Sequence, residues 1–319
     1  MKQILGILIT LVAVYIFTAV IGDNFLSAYN QEQLMKRTAL YGLLAIGVSF
    51  VIITGGIDLS IGSVVCLVGC GVPWLIVDHQ WSPTMAVLAA LGVAVLIGLC
   101  HGFLITKVKL QPFVVTLCGL LIYRGATRGL VDDRTLGLGS GFLEFRKMAT
   151  GKIELTEKFG IPMPFVFLVI VGLLAWVFLR KTIWGRYLFA LGNNEEAARL
   201  SGINTDRMVT LSYVICSVLA AFGGLLFLLD GNTAQPNDFG NFYELYAIAA
   251  AVLGGCSLRG GSGTVLGVII GAAVMQILKN MIILIDWLKS NMEFFVVGVV
   301  LLVAVIADEL VKRRVRRQK

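Results

Sequence analysis

Apolar residues fill most of this chain in runs of about 17 to 25, the length a helix needs to cross about 30 Å of hydrocarbon. Those runs predict about ten membrane-crossing helices, over residues 4–22, 38–54, 60–77, 84–106, 111–129, 162–180, 208–230, 244–255, 264–286 and 292–308. No soluble domain fits between them, so residues 1–319 read as one transmembrane domain. The first run, ILGILITLVAVYIFTAVIG, is too long for a signal-peptide core and lacks a small-x-small cleavage site, which makes it a retained helix. The predicted fold class is all-α, a polytopic membrane helix bundle.

Polar interruptions of the apolar pattern carry more information than the pattern itself. ITGGIDLSIGS at 53–63 breaks an otherwise continuous apolar region with three glycines, two serines and Asp58. Its pattern GGxxLxxGS, at 55–63, returns as GGCSLRGGS at 254–262, and each copy follows one apolar helix and precedes another. This points to an internal repeat with broken helices. Irregular backbone at membrane depth is tolerated only where protein or a water-filled cavity satisfies its N–H and C=O groups. Paired Gly-interrupted helices in corresponding halves therefore point to a transport pathway. The candidate pathway residues are Gly55, Gly56, Asp58, Ser60, Gly254 and Gly255. A second reading stays open, in which both motifs are tight turns and Asp58 or Ser60 caps the following helix.

GRYLFALGNNEEAARLSGINTDR at 185–207 has a different character. Asn193 and Asn194 are good N-caps, Glu195 and Glu196 suit the positive end of a helix, and Gly202 suits its stop. A short amphipathic helix on the membrane surface is expected within a loop spanning about 181–207. It serves either as an ordinary connection or as a docking helix for a soluble partner.

Composition sharpens the class. The chain is 58% hydrophobic and 14% charged, with mean hydropathy +0.89, far from the roughly 45–50% and 25% of soluble domains. An even helix count puts both termini on one side, and the tail KRRVRRQK assigns that side to the cytoplasm. Lys107, Lys109, Arg180, Lys181, Arg186, Arg199, Arg207 and Arg259 then also fall inside, while Arg134, Arg146, Lys147, Lys152 and Lys158 fall in an outer segment at 130–161. The net charge of +7 needs no nucleic acid; its tail suits anionic lipid headgroups. Six cysteines in apolar context, without CxxC pairs or clustered histidines, indicate neither a metal site nor a disulfide framework and read as small core residues. His79 and His101 read as a loop residue and a packing residue. There is no GxSxG, no HExxH and no Walker A loop, so catalytic residues are not expected and the chain cannot hydrolyse ATP alone.

The stretches GVSFVIITGGIDLSIGS, LQPFVVTLCGLLIYRG, WGRYLFALGNNEEAARLSGI, AQP at 234–236 and YELYAIAAAVLGGCSLRGGSGTVLGVIIGA together resemble the permease subunits of bacterial ABC importers for monosaccharides, of the ribose, galactose, xylose and autoinducer-2 type. GGIDLS and GRYLFALGNNEEAARLSGI are the specific parts, and the matches run in order along nearly the whole chain. The resemblance implies an inner-membrane protein acting as a homo- or heterodimeric permease pair, two cytoplasmic ATPase subunits that use the ATP, and an extracytoplasmic sugar-binding protein. It implies no cofactor on this chain. It also implies that Gly192, Asn194, Glu195, Glu196, Ala198 and Gly202 belong to the ATPase-docking element.

The chain departs from the resemblance at Tyr246, where relatives commonly carry an acidic residue, and at LKNMIILIDW, where Lys279 enters an often Asn-rich stretch. Lys279 reads as snorkelling to the outer surface, with a role in function as the alternative. VDDRTLGLGSGF, in the outer segment, also differs. Asn232, Gln235, Asn237 and Asp238 read as a solvated outer loop, with sugar or binding-protein contact as the sharper option. The rival function is an ion-coupled secondary transporter, for which Asp58 is nearly the only coupling carboxylate in view.

Overall fold

The computed structural model describes residues 2–284 and a few positions between 292 and 306. In chain order the helices are α1 (Lys2–Ile21), α2 (Ala28–Ile53), α3 (Ile61–Pro73) continued by a π-helical turn (Trp74–Asp78), α4 (Pro83–Thr106) and α5 (Pro112–Val131). Then come β1 (Leu136–Gly137), α6 (Leu143–Thr150), β2 (Lys152–Thr156), β3 (Phe159–Pro162) and α7 (Met163–Lys181). The rest comprises α8 (Ile183–Asn193), α9 (Glu195–Leu200), α10 (Thr205–Gly231), β4 (Thr233–Ala234), α11 (Tyr243–Leu253) and α12 (Val265–Leu284). Seven of the described helices are long and apolar enough to cross a membrane, and α1 and α11 add shorter apolar segments. The helix expected at 292–308, like the KRRVRRQK tail, lies outside the described residues.

Most helix limits follow local chemistry. Ser82 and Pro83 open α4, with the Ser82 hydroxyl accepting from Met85 N at 3.3 Å, and Pro112 stands at the first position of α5. The largest departure is α2, which starts at Ala28 rather than 38. Ser27 caps it, accepting from Asn30 N at 3.3 Å. Gln31, Gln33, Lys36 and Arg37 interrupt the hydropathy of that first stretch, so the apolar run begins only after the helix is under way.

The ends of the bundle are fixed by its connections. Lys107 reaches Asp206 at 2.8 Å, which sets the α4–α5 turn beside the start of α10 and near α9. At the opposite end Arg134 reaches Asp78 at 2.8 Å, β2 pairs antiparallel with β3, and β1 pairs with β4. We call these the α9 end and the hairpin end. The α2 and α10 helices form the buried centre, whereas α4, α5 and α7 expose most of their apolar residues on the wall that would face lipid. Cys66, Cys70, Cys216 and Cys256 are buried as expected, but Cys100 and Cys118 lie on that wall. In hydrocarbon an apolar exterior costs nothing, so small residues need not be interior.

Where lipid is as apolar as leucine, close helix approach through small residues supplies the packing. A Cβ at Gly98 of α4 would lie 2.5 Å from Val214 Cα of α10. Gly98→Leu should therefore force the two helices apart and destabilise the bundle by about 1–3 kcal/mol, read as a lowered melting temperature in detergent. An unchanged melting temperature would show that this contact does not hold the centre.

Candidate functional site

The first break begins where α2 stops. Gly55 has φ +83°, and the Gly55 and Gly56 amides donate to Ile52 O and Val51 O at 2.9 and 3.0 Å, a Schellman stop. The second break repeats it: Gly255 has φ +87°, and Gly255 and Cys256 donate to Val252 O and Ala251 O at 2.9 and 3.0 Å. Structurally, then, Gly55 matches Gly255, one position away from the GGxxLxxGS register in which Gly55 stands opposite Gly254. The loop before α12 is longer than the one before α3, so the sequence motif absorbs the difference by shifting. Each stop separates one helix from the next, α2 from α3 and α11 from α12.

From Gly56 the chain runs back into the bundle, and α3 starts inside it. Ser63 Oγ donates to Leu120 O at 2.7 Å, well along α5, and Ser60 lies against Gly119. Asp58 is 1% exposed. Its Oδ1 accepts from Ser60 N at 2.9 Å and Ser60 Oγ at 2.7 Å, an Asx turn. Ser60 is the N-cap residue of α3 but makes no side-chain cap bond, so neither Asp58 nor Ser60 caps the helix as the turn reading had it. Tyr213 Oη donates to Ile57 O at 3.1 Å, and His101 Nε2 meets Tyr123 Oη at 2.9 Å beside Gly119. His101 is therefore part of a buried polar group around Asp58 rather than a plain packing residue.

A second carboxylate joins it, one the sequence reading missed. After β4 the chain dips from the hairpin end into the bundle: Phe239 packs on Gly69, and Gly240 packs on Gly62 in the first turn of α3. Arg124 holds this segment by donating to Pro236 O and Phe239 O, both at 2.9 Å. Gln235, Asn237 and Asp238 keep their side chains exposed, but the backbone of the expected solvated loop is buried at Pro236 and Gly240. Helix α11 then starts at depth, and its Glu244, 6% exposed, lies against Gly62. The signal was present: an acidic residue opens an apolar segment of only 11 residues, too short to span.

The α8–α9 unit meets both breaks. Asn194 caps α9, accepting from Ala197 N at 2.9 Å, and Gly202 at φ +83° ends it. Asn193, also expected as a cap, instead closes α8 and donates to Phe189 O at 2.8 Å and Gly261 O at 3.3 Å. Gly261 N in turn donates to Ile53 O at 2.9 Å, tying the second break to the end of α2. Gly192 fills the remaining corner, where a Cβ would collide with Ile53 O and Gly261 N. Ala198 is the buried anchor of α9, while Glu195, Glu196 and Leu200 point outward and Arg199 pairs with Glu195 at 2.6 Å.

Two polar cavities flank this core. One, of about 330 Å³, opens at the α9 end between Thr54, Gly56, Lys109, Gln111, Glu195 and Asp206. The other, of about 470 Å³, lies in the hairpin-end half between α2 and α12, lined by Tyr29, Gln33, Arg37, Tyr41, Gln276 and Lys279 among others. Lys279 does not snorkel outward: its ammonium lies 3.7 Å from the Tyr246 ring centre and 4.9 Å from that of Tyr41. The aromatic faces help to hold the charge, and the side chain keeps partial exposure beside the cavity. Among the described residues no cluster of His, Cys, Asp or Glu is arranged to hold a metal ion.

Helices that begin inside a membrane bundle at buried carboxylates, gripped at one end by a surface helix pair, define a membrane permease. The chain matches the family described as branched-chain amino acid transport system / permease component over residues 30–305, and it belongs to that family. It is 37% identical over 301 residues to the ribose import permease protein of Escherichia coli (strain K12), covering 94% of this chain and 92% of that protein. The corresponding ribose permease of Bacillus subtilis (strain 168) is 36% identical over 307 residues, covering 96% and 92%. The xylose transport system permease protein of Haemophilus influenzae is 31% identical over 369 aligned residues, covering 98% and 97%.

Gly192→Val should break the junction, because two further methyl groups cannot fit where even one carbon collides. We expect a correctly inserted protein whose α9 becomes more accessible to protease, with transport reduced by about tenfold or more. Unchanged transport would show that the junction carries no load.

Proposed function

We propose that this chain is the membrane permease subunit of an ATP-binding-cassette importer. It passes a monosaccharide, delivered by an extracytoplasmic binding protein, into the cytoplasm by alternating access. The single observation that carries the reading is the anchoring of α9: its acidic face is exposed while its own supports touch both helix breaks. A soluble ATPase seated on Glu195 and Glu196 would therefore act on both repeats at once. The names of the ribose and xylose relatives support the sugar as cargo.

In this reading the α9 end faces the cytoplasm, supported by Lys107, Lys109, Lys181, Arg186 and Arg207 clustered there. The run of α1 toward the hairpin end is consistent with this reading, which has the start of that helix on the inner side. The hairpin end receives the binding protein, and a second permease subunit, identical or related, completes the pathway. ATP binding closes the ATPase pair, α8–α9 follows, and the breaks at Gly55 and Gly255 shift the half-helices α3 and α11 between outward and inward arrangements. Asp58 and Ser60, with Glu244, line the step between them. Gly254 lends backbone to the second break, its Cβ position filled by Gly267.

Glu244 gives the ion-coupled rival a specific foothold, since two buried carboxylates make a better relay than one. The readings separate in proteoliposomes. Permease with its ATPase and binding protein should accumulate monosaccharide only with ATP, and permease alone under a proton or sodium gradient should accumulate none. Gradient-driven uptake by the lone chain would overturn the proposal.

Two substitutions refine the test. Glu195→Lys with Glu196→Lys should cut ATP-driven uptake about tenfold or more, since like charges across an interface cost several kcal/mol, while leaving the permease monodisperse in detergent. Asp58→Ala should reduce uptake while ATPase binding persists; normal uptake would remove Asp58 from the pathway.

A further inference from the structure

The cavity at the α9 end stops short of the buried polar group, and one stretch of backbone divides them. Thr54, Gly55 and Gly56 belong to the cavity wall. Asp58 and Ser60, a few residues beyond, are fully buried. A solute moving from the polar group to the cavity has the backbone around Ile57 in its way. What holds that backbone decides whether this side is shut.

Ile57 follows the Schellman stop and belongs to no helix, so its carbonyl needs a donor from elsewhere. Two hydroxyls approach it from different helices: Tyr213 Oη of α10 at 3.1 Å and Thr116 Oγ1 of α5 at 3.3 Å. They are not equivalent. A threonine hydroxyl has one proton to give, and Thr116 has a nearer acceptor in Pro112 O at 2.9 Å. Tyr213 is therefore the main donor. Gly56 makes room for it, since a Cβ there would lie 2.7 Å from the Tyr213 hydroxyl. Gly56 lacks the positive φ of Gly55, so this close approach is the reason for a glycine at that position.

The tyrosine is firmly seated and stands at the inner wall of the cavity. Its backbone carbonyl lies against Gly98 of α4, and the His101 ring meets its ring edge-on at 5.9 Å. About two turns earlier on α10, the Thr205 hydroxyl accepts from Arg199 of α9 at 3.1 Å, and Asp206 is held by Lys107. Rigid helices transmit displacement along their length. A shift of α9 thus reaches the first break through α10 and Tyr213, by a route separate from the Gly261 junction.

We propose that Tyr213 is the inner latch of this permease: its hydroxyl bond to Ile57 O holds the segment at 55–60 shut between the Asp58 group and the α9-end cavity, and movement of α9 with α10 releases it. The inference rests on the importer reading and adds the residue that closes its inner side. Tyr213 is a positioning residue, acting through the Ile57 backbone. In Tyr213→Phe the ring still fills its place and Thr116 remains within reach of the carbonyl, so the fold is kept while the latch is lost.

The test follows native Cys216, which is buried one turn beyond Tyr213 along α10. The assembled transporter, with its ATPase and binding protein, is placed in lipid nanodiscs and treated with a charged, membrane-impermeant methanethiosulfonate reagent. Labelling at Cys216 is read by mass spectrometry. In the unsubstituted permease we expect labelling rates to differ about tenfold between the nucleotide-free and ATP-bound states. Tyr213→Phe should label at the faster rate in both states, with Cys66, buried on α3, unlabelled throughout as the sign of an intact bundle. Equal labelling of the unsubstituted permease in both states would overturn the latch and leave the importer reading standing. So would Tyr213→Phe with unchanged state dependence, or with Cys66 labelled alongside Cys216. Failure of the ATPase to bind the permease would instead count against the importer reading itself.

Discussion

One hydrogen bond organises this molecule: the Gly261 amide donates to the carbonyl of Ile53, 2.9 Å away, joining the end of α2 to the loop that precedes α12. Ile53 is 1% exposed, so the carbonyl at this helix end needs a partner from the protein, and a buried orphan costs several kcal/mol. Here the two interrupted helices satisfy one another. Gly192 closes the same corner from α8, and Asn193 adds its side-chain amide to Gly261 O. Backbone meets backbone in that space, so residues with side chains are excluded by volume. The cost of breaking two helices is thereby offset at a single point, and that point is where the surface helices are attached.

Interrupted helices also explain where charge can be kept. The α3 and α11 starts bring free N–H groups and their partial positive charge into the bundle, next to the turn of Asp58 and to Glu244. Arg124 donates to backbone carbonyls of the inserted segment before α11, and Lys279 rests on tyrosine rings. Each costly group has a local compensation. None of these compensations would be needed in a bundle of straight helices, which is the physical reason to associate them with a path for a polar solute.

Much of this was legible in the residues. Eight of the predicted apolar runs closely match described helices or the half-helix α11, because hydrophobic length is a strong signal in a membrane protein. GGIDLS announced a break, and GNNEEAARLSG announced a capped surface helix. What stayed hidden depends on three-dimensional meeting. Gly192 was expected in the docking element only through the resemblance; its physical reason, Ile53 O and Gly261 N in its missing side chain's place, needed the fold. Glu244 was passed over, and His101 was read as a packing residue. The first turns of α2 were lost because their polar face, now turned to a cavity, lowered the local hydropathy. The Schellman bonds set Gly55 opposite Gly255, one position from the pairing that the GGxxLxxGS letters give.

The central claim is that α9 and the second break form one rigid piece that moves together against the hairpin end. Spin labels at Ser201 and Leu258, both exposed, report that directly by pulsed dipolar spectroscopy on the assembled transporter. The account predicts an unchanged Ser201–Leu258 distance between nucleotide-free and ATP-bound states, while a Ser201–Leu155 distance across the bundle changes. If Ser201 and Leu258 separate as ATP binds and the cross-bundle distance stays fixed, the coupling described here is wrong.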